Sequence, residues 1–392
     1  MKPLSKIIVS LLSLLVLVIP QLPAHAQDVS PTATPEPFAG QPVCMPDVYL
    51  QAPASCLPLG PSSYLTDLAK QGLTLPVKPL PVLPADASLN QMDQSYLKIS
   101  ATTINFYDTL DDAVAHHPSN TVNSHLIYLS KLNKVVKDNV IYYQLTSGLW
   151  INAGEAEASC CIESGRFQGL TFTHTPPNSF GWIIEPTVSR TGPSYTAPET
   201  GKAYNIENVV QVYATQQAEN TTWYLVAPGE WIERRYIRPV DINTTPPKGV
   251  TNNRWIEVNL YNQTLSVYDQ GQLVFAALVA TGMKPFYTRP GLFQIQVKKL
   301  TENMSGAFEA DRSDYYYLED VPWTMYYDDA RALHGAYWRT MYGYPQSHGC
   351  INLAPGDAHW LYNWANVGEW VYVWDPSGQT PTDPSYYGAG GA

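Results

Sequence analysis

The stretch Ser347-His348-Gly349-Cys350-Ile351-Asn352 sets a cysteine beside a histidine-glycine pair, and a second such pair, His334-Gly335, lies sixteen positions before the cysteine. A thiol attacks well only as a thiolate, which needs a base or a positive environment within hydrogen-bond reach. In an extended segment residues two apart point the same way, so His348 and Cys350 can face one cavity. Gly349 between them permits tight turning and close substrate approach. The backbone N–H of Gly349 or Cys350 is then placed to donate to an oxyanion. His334, arriving on a neighbouring strand, would complete a base–nucleophile pair. The same residues admit three other readings: a buried inert cysteine, a disulfide staple, or a zinc site of His334, His348, Cys350 and His359. The zinc reading lacks paired C-x-x-C or H-E-x-x-H spacing.

The compartment bears on those readings. Lys2 and Lys6 precede an apolar run from Ile7 to Ile19, followed by Ala24-His25-Ala26. This pattern predicts a signal peptide over 1–26 and export of the chain to the cell wall, the extracellular space or the periplasm. The run is short against the roughly 20 residues of a spanning helix, so no stable membrane insertion is expected after cleavage. The formal net charge of −11 argues against a nucleic-acid partner, which needs a basic footprint. With 15% charged residues but 27 Tyr, 11 Trp and 33 Pro, the composition reads as β-rich and extracellular. Five cysteines leave at least one unpaired. Cys44 and Cys56 could close a small ring, and Cys160 and Cys161 could pair as neighbours. Cys350 is then the odd one out, unless it bridges to Cys160 or Cys161.

Residues 27–94 read as a Pro-rich spacer and a segment without clear periodicity. An internal echo follows: Tyr143, Gly148 and Trp150 recur 81 positions later as Tyr224, Gly229 and Trp231. Two aromatics, a glycine turn and Trp-Ile read as strand, turn and strand. They predict two small β-modules, 95–158 and 181–240, which look like bacterial SH3-type repeats and either space the chain or grip the wall. After a boundary at 241–253, Ile256, Val258 and Leu260 alternate with Trp255, Glu257 and Asn259, predicting a half-buried strand. Further strands are expected over 264–268, 273–280, 291–299 and 370–374. One helix is expected after Leu353, with Pro355 in its first turn and Ala358, Leu361, Trp364 and Ala365 on one face. The tail 376–392 reads as loose.

His334-Gly335 followed by Ser347-His348-Gly349-Cys350-Ile351-Asn352, with Thr288, Pro290 and Gly291 as punctuation upstream, resembles the signature of the L,D-transpeptidase (YkuD-type) catalytic domain, over about 252–375. The resemblance implies a mainly β fold: a YkuD-type β-sandwich or barrel with one or two short helices, preceded here by the two SH3-like barrels. It implies that Cys350 attacks a peptidoglycan stem tetrapeptide, that His334 is the base, and that His348, Gly349 and Ser347 support the site. Asn352 stands where many members carry Arg, and it bears on substrate detail. Tyr326, Tyr327, Tyr337 and Trp338 are candidates for the substrate pocket, each equally readable as ordinary packing. Neither cofactor nor metal is implied. The partners implied are donor and acceptor stem peptides, or a protein joined to the wall. Two rivals stand beside this reading: an L,D-carboxypeptidase using water, and a wall-binding protein with an idle domain.

Overall fold

A computed structural model describes Leu73 and residues 77–123, 126–307 and 315–387. The expected signal peptide, most of the spacer and the Cys44/Cys56 pair lie outside these described residues. The fold is mainly β, with two short α-helices among the described residues, Leu110–Ala115 and Pro355–Trp364.

The C-terminal unit, numbered from its own start, runs β1 (Arg254–Asn259), β2 (Thr264–Asp269), β3 (Gln272–Leu278), β4 (Gly291–Gln294), β5 (Val297–Gly306), β6 (Tyr316–Asp328), β7 (Arg331–Gly335), β8 (Ile351–Leu353), α1 (Pro355–Trp364) and β9 (Trp370–Trp374). One sheet contains the order β3-β2-β1-β9-β4, with β1 and β9 parallel. The other contains β8-β7-β6, with β5 pairing β6 and with β7 and β8 parallel. Their inner faces meet in one core, where Ile256, Val258, Leu265, Val267 and Phe275 pack with Met325, Tyr327, Leu333, Ile351 and Leu353, and with Ala358 and Leu361 of α1. Each buried Val, Leu, Ile, Phe or Met among them contributes about 1.5–3 kcal/mol.

The strand expected to be half-buried is covered on both faces. Trp255 is fully buried, and Glu257 and Asn259 are nearly so. Phe180, Trp182 and Val240, on strands that precede β1 in the chain, pack with Trp255 and Tyr268, so no face of β1 is left to water. The single strand expected over 291–299 is split. Between β4 and β5 the Ile295 N–H donates to the Glu369 carbonyl and the Gln296 N–H to the Tyr326 carbonyl, and there the chain passes from one sheet to the other. The tail expected to be loose from 376 is held through 387: Asp375 accepts from the Ser377 and Thr380 amides, and Tyr387 lies 5.3 Å beneath the Arg331 guanidinium.

The internal echo is a repeated hairpin in one register. Tyr143 pairs with Ile151 and Gln144 with Trp150, while Tyr224 pairs with Ile232 and Leu225 with Trp231. Gly148 and Gly229 turn the chain at φ 90° and 67°, a conformation that favours glycine. The two copies are used differently. The first belongs to the same sheet as β6, because Leu126, Ile127 and Tyr128 pair in parallel with Tyr316, Tyr317 and Leu318. The second has its own core, including Ile183, Tyr204, Tyr224 and Ile232, and covers the back of β1–β3.

Candidate active site

Parallel pairing of β7 and β8 sets His334 opposite Asn352 and Leu333 opposite Ile351, so Cys350 enters β8 beside the histidine strand. His334, Ser347, His348, Cys350 and Asn352 all line one cleft of about 70 Å³. Cys350 is a free thiol and buried; Cys160 and Cys161 are paired with each other.

The loop before Cys350 is tied down bond by bond. The Ser347 N–H donates to the Thr281 carbonyl and the Met283 N–H to the Ser347 carbonyl. Asn352 and Ala280 exchange both backbone bonds at 3.0 and 2.9 Å. Ser347 Oγ donates to the Cys350 carbonyl and accepts from the Gly349 N–H at 3.2 Å. Thr288 Oγ1 donates to the Gly349 carbonyl and accepts from the Gly282 N–H, both at 2.8 Å. Gly349 has φ 120°, with Arg331 3.4 Å from where a Cβ would stand. Gly282 has no room at all: a Cβ would lie 2.1 Å from the Phe286 carbonyl oxygen.

Burial sets the protonation of the two chemical groups. His334 is 2% exposed, and desolvation, aided by the Arg339 cation, lowers its pKa to about 4. Its Nδ1 lies 3.4 Å from the Gly335 carbonyl. A carbonyl only accepts, so in that bond Nδ1 carries the proton and Nε2 keeps the lone pair. Burial pushes the Cys350 thiol up to about 11, against the Ala332 backbone bond and the Arg331 cation. At neutral pH the pair is thiol and neutral imidazole.

The other expected residues divide. Trp338 lines the cleft, with its ring 5.7 Å from that of His334. Asn352 lines it too, and its Oδ1 is buried without a donor among the described residues. His348 is exposed, between the rings of Phe286 at 5.0 Å and Tyr316 at 5.9 Å. Tyr337 is not in the cleft wall: its ring stacks on Tyr96 at 3.5 Å, and its hydroxyl donates to the Glu319 carbonyl at 2.7 Å. Tyr327 is in the sandwich core. Tyr326 is also outside the wall; burial and Glu302, then Cys350, raise its hydroxyl to about 12. His359 stacks on Trp323 at 4.4 Å and does not reach the cleft. Among the described residues no three of His, Cys, Asp and Glu gather as a metal site.

Sequence reasoning missed Leu126, Met304, Tyr316, Leu318 and Arg339, which complete the cleft wall. Four of them come from strands whose pairing has no local signal. Arg339 lies in the loop between β7 and β8; its Nη1 donates to Gln346 Oε1 at 2.8 Å and its Nη2 to the Gln346 carbonyl at 2.5 Å.

With this geometry in place, comparison with known families is decisive for one segment. Residues 253–373 match the L,D-transpeptidase catalytic domain, YkuD. This family acts on peptidoglycan peptides. No curated protein matches the chain. Among solved structures, the chain is similar to an L,D-transpeptidase from Stackebrandtia nassauensis (28% identity over 33% of this chain and 58% of that one, TM-score 0.26). It is similar also to the catalytic domain of the Enterococcus faecium L,D-transpeptidase (26% identity, 32% and 100%, TM-score 0.29), and to an L,D-transpeptidase from Mycobacterium smegmatis (16% identity, 53% and 89%, TM-score 0.30). The chain spans 58%, 49% and 55% of the first three such structures. Among the described residues, no helix of this YkuD-bearing chain is long and apolar enough to cross a membrane.

Proposed function

We propose that the chain is an exported L,D-transpeptidase that transfers an acyl group from a peptidoglycan stem tetrapeptide through Cys350. One observation carries this reading: Cys350 and His334 line the same cleft, within the segment that matches the catalytic family. The resting pair is uncharged, so His334 Nε2 takes the thiol proton as sulfur attacks the carbonyl before the terminal D-Ala. The S–C bond forms, the C–N bond breaks, and the proton passes to the leaving D-Ala amine. An acceptor amine, giving up its proton to His334, then displaces sulfur from the thioester. Both half-reactions pass through an oxyanion. The Gly349 N–H is held by Ser347 Oγ, which leaves the Cys350 N–H as the candidate donor, with exposed His348 beside it. Asn352 Oδ1 awaits a substrate N–H, and Trp338 forms the apolar wall. Residues 95–158 and 181–240 act as β-modules that hold this unit, the first by continuing its sheet.

The catalytic domain of the E. faecium enzyme has been solved acylated by ertapenem. The test uses the same compound: intact mass of wild type and Cys350→Ala after incubation. A single adduct on the wild type and none on the variant is the expected result. No adduct on either would leave an idle domain. Incubation with tetrapeptide then separates amine from water as acceptor: cross-linked dimers mean transpeptidation, tripeptide alone means carboxypeptidation.

A further inference from the structure

A second cavity, of about 430 Å³, lies across the catalytic loop from the cleft, a size suited to a small ligand or a peptide end. Its walls come from four parts of the chain: Arg234 and Arg238, Leu260, Tyr261 and Gln263 at the turn between β1 and β2, Thr281 to Lys284 with Thr288 and Pro345 beside the catalytic loop, and Asp375, Ser377 and Thr380 of the tail. Three side chains in this lining are cationic, Arg234, Arg238 and Lys284. None is within salt-bridge distance of a carboxylate among the described residues.

Arg238 is the least ordinary of the three. It is 8% exposed, and a buried guanidinium without a carboxylate is costly. Its Nε donates to the Gly343 carbonyl at 2.8 Å, and Nη1 donates to the Arg234 and Ile237 carbonyls, each at 3.1 Å. Its Nη2 has no acceptor among the described residues. Desolvation, then the neighbouring Arg234, lowers its pKa to about 10, so the site favours an added negative charge. Arg234 spends Nη2 on the Tyr261 carbonyl at 2.6 Å, and its buried Nε has no partner among the described residues.

The nearby acids are already engaged. Asp375 accepts from Ser377 and Thr380. Asp241 accepts from the Asn259 and Asn262 amides at 3.0 and 2.9 Å. Glu185 lies 3.6 Å from Arg235 and accepts from the Tyr344 hydroxyl. The lining therefore has cations in excess and planar donors suited to a carboxylate.

We infer that this cavity binds a peptide carboxylate, the free C-terminus of a second stem peptide, on the face of the catalytic loop opposite the cleft. The anion site stands on the cations alone; that its occupant is a stem peptide rests on the function proposed above. Thr288 joins the two places, since it lines the cavity and its hydroxyl holds the Gly349 carbonyl. A strand anchored here lies against the loop that presents Cys350.

The test is a binding titration on full-length Cys350→Ala protein, which cannot turn over. The probes are the tetrapeptide L-Ala-γ-D-Glu-diaminopimelate-D-Ala and its C-terminal amide. The acid form is expected to bind more tightly than the amide. Arg234→Gln, which keeps the backbone carbonyl that Arg238 uses, and Lys284→Gln are each expected to weaken the acid form about tenfold, the scale of one charge-assisted bond, and to narrow its preference over the amide. Equal binding of acid and amide, or unchanged affinity in both variants, overturns the inference. So does binding of inorganic phosphate that falls in the variants while the peptide does not bind. Ertapenem acylation of the unaltered protein is read alongside. Acylation without a charge-dependent peptide site removes this inference alone, whereas failure of acylation removes the earlier reading.

Discussion

The cleft at Cys350 and the cavity at Arg238 flank one loop, and they are built in opposite ways. In the cleft, burial keeps both reactive groups neutral: desolvation holds the His334 pKa at about 4 and the Cys350 pKa at about 11. Met304, Tyr316, Leu318 and Trp338 supply apolar walls, and the one guanidinium, Arg339, is bonded to Gln346. In the cavity three cations stand without carboxylate partners among the described residues. On the function and the anion site proposed above, the difference separates two tasks: the thiol and the imidazole are kept where burial holds both neutral, and charge is recognised by cations outside the cleft.

The largest effect that would break this contrast concerns His334. If the base works from a neutral state, His334→Gln, read by ertapenem acylation rate, should lose about 10²–10⁴-fold, the usual worth of a positioned base. A preformed thiolate would make the loss far smaller. The pH dependence has a definite sign. A folded pKa near 4 lies below the unfolded value of roughly 6.5, so the unfolded chain binds the extra proton between them. The stability linked to His334 is therefore fully present above about pH 6.5 and is lost as pH falls through about 4. Glu257, Glu319 and Asp357, each raised to about 7 chiefly by burial, pull the other way, losing stability as pH rises toward 7. Only the difference isolates the histidine: the melting midpoint of His334→Gln relative to wild type should rise as pH falls from 6.5 to 4. A difference that stays flat with pH would place the ring in water.

A middle-sized effect lies where the two regions touch. Thr288→Val keeps the shape but leaves the Gly282 N–H and the Gly349 carbonyl without their shared hydroxyl. Each buried polar group so orphaned costs about 1–3 kcal/mol. The variant should melt lower and acylate more slowly, because the Gly349 carbonyl is the peptide group next to Cys350. Lower stability with an unchanged acylation rate would mean that the loop holds its shape without Thr288, and the cleft and cavity would then be independent.

The residues proposed for the chemistry were legible because they are close in sequence and of unusual type. His334 and the Ser347–Asn352 stretch need only one strand pairing to meet, and β7–β8 provides it. Strand alternation likewise marked β1, and β2, β3 and β9 were expected as strands. The rest depended on distant partners. Leu126 reaches the cleft through a parallel pairing with Tyr316, 190 positions away, and nothing local announces it. The split at Ile295–Gln296 carries no Gly or Pro, so the alternation runs straight through the change of sheet. The burial on the Trp255 side of β1 was hidden because the residues packed there, Phe180, Trp182 and Val240, come from strands well before it in the chain. Thr288 was visible as punctuation, but its bond to Gly349 was not.

Tyr337 sharpens the comparison most finely, because sequence places it three residues from the cleft histidine and the fold turns it away. Its hydroxyl gives one hydrogen bond, to the Glu319 carbonyl, while its ring is stacked on Tyr96 and set edge-on to Tyr128 and Trp338. Tyr337→Phe keeps the stacking and removes the bond, which predicts a loss of about 1 kcal/mol in unfolding free energy. Its acylation rate should stay within about twofold of wild type, since a packing residue behind Met304 and Tyr316 acts on the wall rather than on the substrate. Acylation kinetics on a variant that remains folded decide the point. A rate drop of tenfold or more would return Tyr337 to the pocket and would mean that the cleft closes around substrate differently from the free protein.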